Sequence, residues 1–337
     1  MGSAANRVMG VFDRIGSRGC DASKDTTQIM AQKPHAVWAV DIGGTKIAAA
    51  RVSRKGGLSD YAEIPTPSAG GRKVVEAVVE LLERMPARQI RAIGVDVPGL
   101  AWPDGHVWAP NIPGWKRMPL GPALKKRFRL PTLVESDRNA FVMGEAWRGA
   151  ARGCRDVVFL AVGTGIGAGI LTGGRLLRGH GELAGSVGWM ALRNRYQPIY
   201  RSIGCFETHA SGTGIGLAAS KAFGRKLSAR ELTVLARRGN RKAKKLLESA
   251  GHDLGLGLSN LVDVLNPEVI VIGGGVAAAG NLVLNVARKT MKQWGQPLAV
   301  KQVRVVRSRL GTRAGLLGAA RLAFDHCDRL ATRKKKS

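Results

Sequence analysis

Twice along the chain, an apolar run enters a cluster of glycines and a second apolar run follows it. In the first half, the turn 41–46 stands between residues 37–40 and residues 47–52; in the second half, a turn at 163–169 follows Val157–Val162. Apolar runs joined by glycine predict paired strands whose turn exposes main-chain N–H groups without a Cβ in the way. The repetition predicts an α/β protein made of two related domains around a cleft.

A length of 337 residues favours two domains, each able to bury its own core. We expect a smaller α/β domain from residues 36–150 together with 311–330, and a larger α/β domain from residues 151–310. Residues 1–35 are polar and lack the apolar centre of a secretory signal, so we expect them to form a disordered N-terminal extension outside the fold. Residues 331–337 form a basic tail.

The formal net charge of +29 raises the question of nucleic-acid binding. The basic residues are spread over several segments, and no helix-turn-helix pattern, zinc-finger spacing or aromatic platform accompanies them. We therefore predict no specific nucleic-acid partner, but an attraction for polyanionic phosphate ligands.

The four cysteines are widely separated, which predicts free thiols in a reducing compartment. No apolar stretch is long enough to span a membrane. Together these features predict a cytoplasmic protein with no membrane partner.

The first glycine turn has the residue types of a phosphate site. Gly43 and Gly44 free the backbone to approach an anion, while Thr45 and Lys46 carry groups that can meet phosphate oxygens. Asp41, just before them, is a candidate to hold Mg²⁺ through water. The spacing differs from that of a Walker A loop. A tight hairpin with a solvated lysine is the alternative interpretation of this turn alone.

Two further glycine clusters lie in the second half. Gly163, Thr164 and Gly165 repeat the first turn, with a return strand at residues 170–171, and two such turns across a cleft would enclose a triphosphate. The third cluster, Gly273, Gly274 and Gly275, follows an apolar strand. It lacks the acidic residue that a dinucleotide fingerprint needs about twenty residues later, which disfavours a Rossmann dehydrogenase and leaves a turn beside a nucleoside.

These segments, taken in order, resemble the ROK family of sugar kinases and sugar-responsive repressors. The matching segments are residues 41–46, 110–115, 136–139 followed by Gly144 and Glu145, 163–167, 273–275 and 314–320. The resemblance covers residues 36–324. It implies the two-domain fold of the actin-like ATPase superfamily (ribonuclease H-like) with an inter-domain cleft, ATP and Mg²⁺ as cofactors, a hexose-type sugar as substrate, and a homodimer.

The resemblance also implies roles for single residues. Asp137 matches the general base, and a carboxylate in that place can accept the proton of a sugar hydroxyl as the bond to phosphorus forms. Asn111 and Glu207 match residues that hydrogen-bond the sugar, and Ser136 and Asn139 belong to the same substrate-binding segment. For a lone Asp at the end of a strand, a helix cap is the alternative.

Two departures from the family lie on the sugar side. Ser186 stands where the family has a sugar-binding Glu, and Trp189 where it has a His that also binds zinc. Of the family's zinc-binding cysteines only Cys205 remains, and a structural zinc needs four ligands, so we predict that none is bound. We expect Trp189 to pack beneath this region in place of the metal, and Glu182 to be a candidate substitute for the lost acid at 186.

Three functions follow from these residues. The first is an ATP-dependent hexose kinase of the glucokinase type. The second is a catalytically weakened sugar-binding regulatory protein of the same family, suggested by Ser186 and Trp189. The third is a sugar kinase that takes its phosphate from polyphosphate, suggested by the basic charge.

Overall fold

The computed structural model describes residues 35–334, and the side chains of all of these except 277, 278, 333 and 334. Most of the N-terminal extension and the end of the basic tail therefore lie outside the described residues. The strands are β1 Ala36–Ile42, β2 Lys46–Ser53, β3 Leu58–Pro65, β4 Ile90–Val97, β5 Leu100–Ala101, β6 Val107–Trp108, β7 Thr132–Ser136, β8 Val157–Val162, β9 Ile166–Thr172, β10 Arg175–Leu176, β11 Val269–Gly273 and β12 Arg304–Arg307. The α-helices are Gly71–Glu83, Leu120–Phe128, Asp137–Arg148, Tyr200–Ile203, Cys205–Ala210, Gly212–Phe223, Ala229–Arg237, Arg241–Leu265, Asn281–Trp294, Ala299–Gln302 and Arg313–Lys334.

The two halves contain five-stranded sheets of the same plan. The first has the order β3-β2-β1-β4-β7 and the second the order β10-β9-β8-β11-β12. In the first, β1 runs antiparallel to β2 and parallel to β4. In the second, β8 runs antiparallel to β9 and parallel to β11. The two glycine turns occupy equivalent places in the two halves, because each is the connection of the central hairpin of its sheet.

Strand β1 is buried on both faces, which explains its continuous apolar sequence. Side chains alternate along a strand, so Trp38 and Val40 enter one apolar cluster while Val37 and Ala39 enter another. The second of these clusters is closed by the helix Arg313–Lys334. The last part of the chain therefore covers the first sheet.

The helix Asp137–Arg148 stands at the junction of the two halves. It contacts the helix Arg313–Lys334 on one side and β9 on the other. A Cβ at Gly318 would lie 1.7 Å from the carbonyl oxygen of Ala140, so the two helices meet at a distance that only glycine permits. Close packing thus fixes this helix and places its first residue, Asp137, at the cleft.

Several boundaries differ from the sequence-based expectation. The second glycine turn is only 163–165, because β9 begins at Ile166, which pairs with Val162, and not at residue 170. The strands β3 and β12 and the helix Leu120–Phe128 were not predicted, since their exposed or mixed residues give no clear period. No helix among residues 35–334 is long and apolar enough to cross a membrane.

Candidate active site

A cleft of about 1430 Å³ lies between the two sheets and gathers most of the predicted site residues. Those that line it are Asp41, Lys46, Asn111, Asp137, Gly163, Thr164, Gly165, Ser186, Glu207, Gly273, Gly274 and Gly275. Five others are not part of its lining: Gly43, Gly44, Thr45, Ser136 and Asn139. All three glycine clusters therefore border one cavity, although the first does so through its flanking residues.

The first turn is closed by its own backbone. The N–H group of Gly43 donates to the carbonyl oxygen of Lys46 at 2.8 Å. The Lys46 ammonium donates to Glu63 at 3.0 Å, with both side chains about half exposed. Gly44 approaches Asn111, since a Cβ at Gly44 would lie 3.9 Å from that of Asn111. The turn is thus a tight hairpin at the rim of the cleft, and the residues on either side of it, Asp41 and Lys46, line the cleft.

The second turn has free backbone donors. Gly163 donates its N–H to the carbonyl of Gly165 at 2.9 Å, and its own carbonyl accepts from Gly212 at 2.7 Å. The N–H groups of Thr164 and Gly165 have no hydrogen-bond partner among residues 35–334. Gly212 begins a twelve-residue helix, whose N-terminus adds positive potential beside the turn. This combination suits an anionic phosphate group.

Asp137 is the first residue of its helix, and Ser136 is the N-cap. The Oδ1 atom of Asp137 accepts the N–H of Arg138 at 2.7 Å. Burial raises the pKa of Asp137 to about 6; the charge and the backbone N–H of Arg138 lower it, and Asp41 raises it. A carboxyl group with such a pKa is ionised at neutral pH and still able to take a proton, which is what a general base requires.

Asp41 is the residue predicted to hold Mg²⁺ through water. It lines the cleft together with Asp137, and carboxylate oxygens are ligands that Mg²⁺ prefers together with phosphates and water. The residues present therefore fit a Mg²⁺ held by Asp41 through water. Beside Asp41, at the end of β4, lies Asp96, a buried residue that was not predicted. The sequence pattern that could have revealed Asp96 is a single carboxylate within the largely apolar segment that forms β4.

Among the residues predicted to bind the sugar, Glu207 lines the cleft and also contacts the second glycine turn. Its Oε2 accepts the N–H of Ile166 at 2.6 Å, directly after the second turn. Burial raises its pKa. The Ser186 hydroxyl donates to the carbonyl of Leu183 at 2.8 Å while lining the cleft. Asn111, Ser186 and Glu207 line the same cleft as Asp137, and we call these three residues the polar wall.

Ser136 and Asn139 lie close to Asp137 in the chain and are buried, so they do not line the cleft. Asn139 is buried and donates through Nδ2 to Glu135 at 2.9 Å. Glu135 also accepts from Arg178 at 2.6 Å, and Arg178 contacts Glu182 at 3.4 Å. Asn139 therefore connects Asp137's helix to an ionic network across the two halves. This network could not be predicted from the sequence because its members are far apart in the chain. Glu182, the candidate substitute for the lost acid at 186, is paired with Arg178 in the network and does not line the cleft.

The expectation for Trp189 was wrong. Trp189 is 56% exposed and lines the cleft, and does not pack beneath it. The adjacent Phe206 is fully buried instead, and its backbone N–H donates to the carbonyl of Met190 at 3.2 Å. Cys205 is buried too, where its sulfur accepts the N–H of Leu192 at 3.4 Å. The region is therefore anchored by Phe206, because a residue on the helix Cys205–Ala210 can enter the core whereas position 189 faces the cleft.

The paired sheets, with equivalent glycine turns around one cleft, define a two-domain protein of the actin-like ATPase fold. The sequence profile of the ROK family matches residues 37–326, and the chain belongs to that family. The glucokinase of Streptomyces coelicolor is 32% identical over 310 residues, covering 84% of this chain and 96% of that protein.

Two solved structures are also similar. The ROK hexokinase from Thermus thermophilus is 35% identical with a TM-score of 0.77, covering 87% of this chain and 99% of that one. The ROK family glucokinase from Streptomyces griseus in complex with glucose and AMPPNP is 30% identical with a TM-score of 0.70, covering 86% and 99%. The protein is a carbohydrate kinase.

Proposed function

We propose that this kinase transfers the terminal phosphoryl group of ATP to a hydroxyl of a hexose-type sugar, with Asp137 as the general base. The observation that carries the proposal is the position of Asp137, in one cleft with the second glycine turn and with the polar wall of Asn111, Ser186 and Glu207. The structure of the similar Streptomyces griseus glucokinase is a complex with glucose and AMPPNP, an analogue of ATP.

The chemistry follows from this arrangement. As the sugar oxygen bonds to phosphorus, its proton passes to the Asp137 carboxylate and the bond between that phosphorus and ADP breaks. The free N–H groups of Thr164 and Gly165 stabilise charge on the phosphate oxygens. Mg²⁺, when bound beside Asp41, neutralises phosphate charge. Closure of the two domains would exclude water from the reaction.

The preference for one sugar over another depends on the part of the cleft that Ser186 and Trp189 line. A serine hydroxyl at 186 is a short, neutral contact, and an indole at 189 offers an apolar face with one N–H donor. Sites that bind hydroxyl groups discriminate strongly between sugars. We therefore expect a preference among hexoses that is particular to this chain.

The test is a coupled kinase assay with ATP over hexoses, hexosamines and N-acetylhexosamines, repeated with polyphosphate as donor. Asp137→Asn keeps the size of the side chain and removes the base, so turnover should fall by about a hundredfold or more. A circular dichroism spectrum and thermal unfolding check that this variant is folded. Turnover by folded Asp137→Asn equal to that of the unchanged protein would overturn the role of Asp137. Faster transfer from polyphosphate than from ATP would overturn the donor.

A further inference from the structure

Arg138, the residue after the proposed base, lines the cleft. It lies in the first turn of the helix Asp137–Arg148, and its stem runs over Gly167 on β9. A Cβ at Gly167 would lie 2.5 Å from Cδ of Arg138, so this path requires glycine there. Arg138 thus lines the same cleft as Asp137 and the second glycine turn.

The N–H groups of the Arg138 guanidinium have no acceptor in the described part of the chain, although its charge acts on Asp137 and lowers the pKa of that carboxyl. Within residues 35–334, the side chain of Arg138 makes no hydrogen bond or salt bridge, although the residue is half-buried. The other two cations that line the cleft are engaged, Lys46 with Glu63 and Arg307 with Asn281. A half-buried guanidinium whose N–H groups lack acceptors is unfavourable unless a ligand supplies them.

The surroundings indicate what that ligand is. The free N–H groups of Thr164 and Gly165 border the same space, and both kinds of donor call for an anion rich in oxygen. A guanidinium is planar, carries five N–H donors and pairs with phosphate through two parallel hydrogen bonds. The neighbouring carboxylate of Asp137 argues against a carboxylate ligand, which would have only two oxygens to share against that repulsion.

We propose that Arg138 binds the terminal phosphate of the donor, together with the backbone of the second glycine turn. This inference rests on the proposed function, because it names a residue for the donor side of the same site. It assigns Arg138 to the phosphate chain and not to the nucleoside, so any donor with a terminal polyphosphate should depend on it.

The experiment measures binding without an acceptor sugar. Calorimetry in the presence of Mg²⁺ gives the affinities of AMPPNP, inorganic tripolyphosphate and adenosine for Arg138→Gln, a variant that keeps the Cγ and Cδ atoms over Gly167. Loss of charge-assisted hydrogen bonds should weaken AMPPNP and tripolyphosphate by about tenfold or more. Adenosine affinity should not change.

The matched control is Arg152→Gln. Arg152 is exposed and lies outside the cleft, so this variant removes the same charge from the surface. Any general loss of attraction between a basic protein and a polyanion appears equally in both variants. Arg138→Lys keeps the charge but not the fork, and should show a smaller loss than Arg138→Gln.

Equal affinities for tripolyphosphate in Arg138→Gln and Arg152→Gln would overturn the proposal, as would a loss confined to adenosine. If Arg138→Gln does not fold, the comparison of Arg138→Lys with the unchanged protein decides, and equal tripolyphosphate affinity then overturns it. Because no sugar is present, these results are independent of whether the protein phosphorylates a hexose. An inactive protein that binds tripolyphosphate through Arg138 would contradict the proposed function alone.

Discussion

Asp41 on β1 and Asp96 on β4 are direct partners in the parallel register, so their carboxyl groups lie side by side beneath the cleft. A Cβ at Gly315 would lie 2.9 Å from an oxygen of each. Asp96 is fully buried, and neither of its oxygens accepts a hydrogen bond from a described residue. Burial, with the nearby carboxylates of Asp41 and Asp137, holds the pKa of Asp96 well above its usual range. When protonated, the Asp96 carboxyl can donate to Asp41, and the pair then carries less negative charge beneath the cleft.

We predict that Asp96→Asn stabilises the protein at neutral and alkaline pH. Because the pKa of Asp96 is raised on folding, the folded state holds a proton that the unfolded chain releases, and stability falls as pH rises above the usual Asp value. The amide has the same shape, stays neutral and can still donate to Asp41. At pH 8 the free energy of unfolding, from urea titrations, should rise by about 1–2 kcal/mol.

The gain from Asp96→Asn should disappear below about pH 4, where the carboxyl is neutral in both states. Asp96→Ala is the control, since it also removes the charge but leaves a cavity and no donor. An Asn variant no more stable than the unchanged protein at pH 8 would contradict the neutral, shared arrangement.

The second prediction concerns the pH dependence of turnover. Asp137 acts as a base only when ionised, and its pKa is about 6. The charged groups near it are Arg138 on its own helix, which lowers the pKa, and Asp41 on β1, which raises it. Asp96 on β4 is also near, since the Asp137 carboxylate raises the pKa of Asp96. We expect kcat/KM to fall tenfold per pH unit below about pH 6. The measurement is a direct nucleotide assay by chromatography, so that no coupling enzyme limits the rate. An acidic limb near pH 4 would show that the carboxyl is not enclosed as described.

The elements that carry phosphate chemistry could be predicted from the sequence because each depends on short-range chemistry. Glycines after an apolar strand, as at 163–165 and 273–275, predict a turn whose backbone N–H groups are accessible to a ligand. Asp137 could be placed because it stands between a strand and a helix within the segment that resembles the family. The family, the fold class and the kinase class are confirmed by the comparisons.

What the sequence could not provide is the direction of each side chain. Trp189 was expected inside and lies in the cleft, because one residue of register in an irregular segment decides which side it faces. The pairing of Asp41 with Asp96 depends on the parallel register of β1 and β4, which are far apart in sequence. The link from Asn139 through Glu135 to Arg178 likewise exists only once the two halves meet.

The third glycine cluster offers a matched pair of substitutions. Gly274 has φ of +91°, and a Cβ there would lie 2.6 Å from the carbonyl of Val162, next to the second turn. A Cβ on Gly275 would have no atom within 4 Å, and the φ of Gly275 is not in the left-handed region. Gly274→Ala should lower the free energy of unfolding by about 1–3 kcal/mol. Gly275→Ala should leave it within about 0.5 kcal/mol. Equal effects of the two in urea titrations would contradict the tight contact between the third cluster and β8.

The absence of a structural zinc remains a prediction with a direct measurement. Cys205 is buried, and its sulfur accepts the N–H of Leu192. Within residues 35–334, no group of three or more His, Cys, Asp or Glu side chains is arranged to hold a metal. We expect elemental analysis of the purified protein to find far less than one zinc per chain. EDTA should leave the melting temperature unchanged. One tightly held zinc per chain, or a lower melting temperature after chelation, would contradict this prediction.

Glu207 should show two separable roles. Its Oε2 accepts the N–H of Ile166 and so ties the second glycine turn to the helix Cys205–Ala210. Glu207→Ala breaks this tie, and we expect the KM for ATP to rise by about tenfold because the turn is no longer held for the phosphates. Glu207→Gln keeps an acceptor oxygen for Ile166, so its KM for ATP should stay close to that of the unchanged protein. The Gln variant loses only the charge toward the sugar, and its KM for the sugar should rise instead. Initial rates with each substrate varied in turn give both constants, and a Gln variant as poor with ATP as the Ala variant would contradict the tie to Ile166.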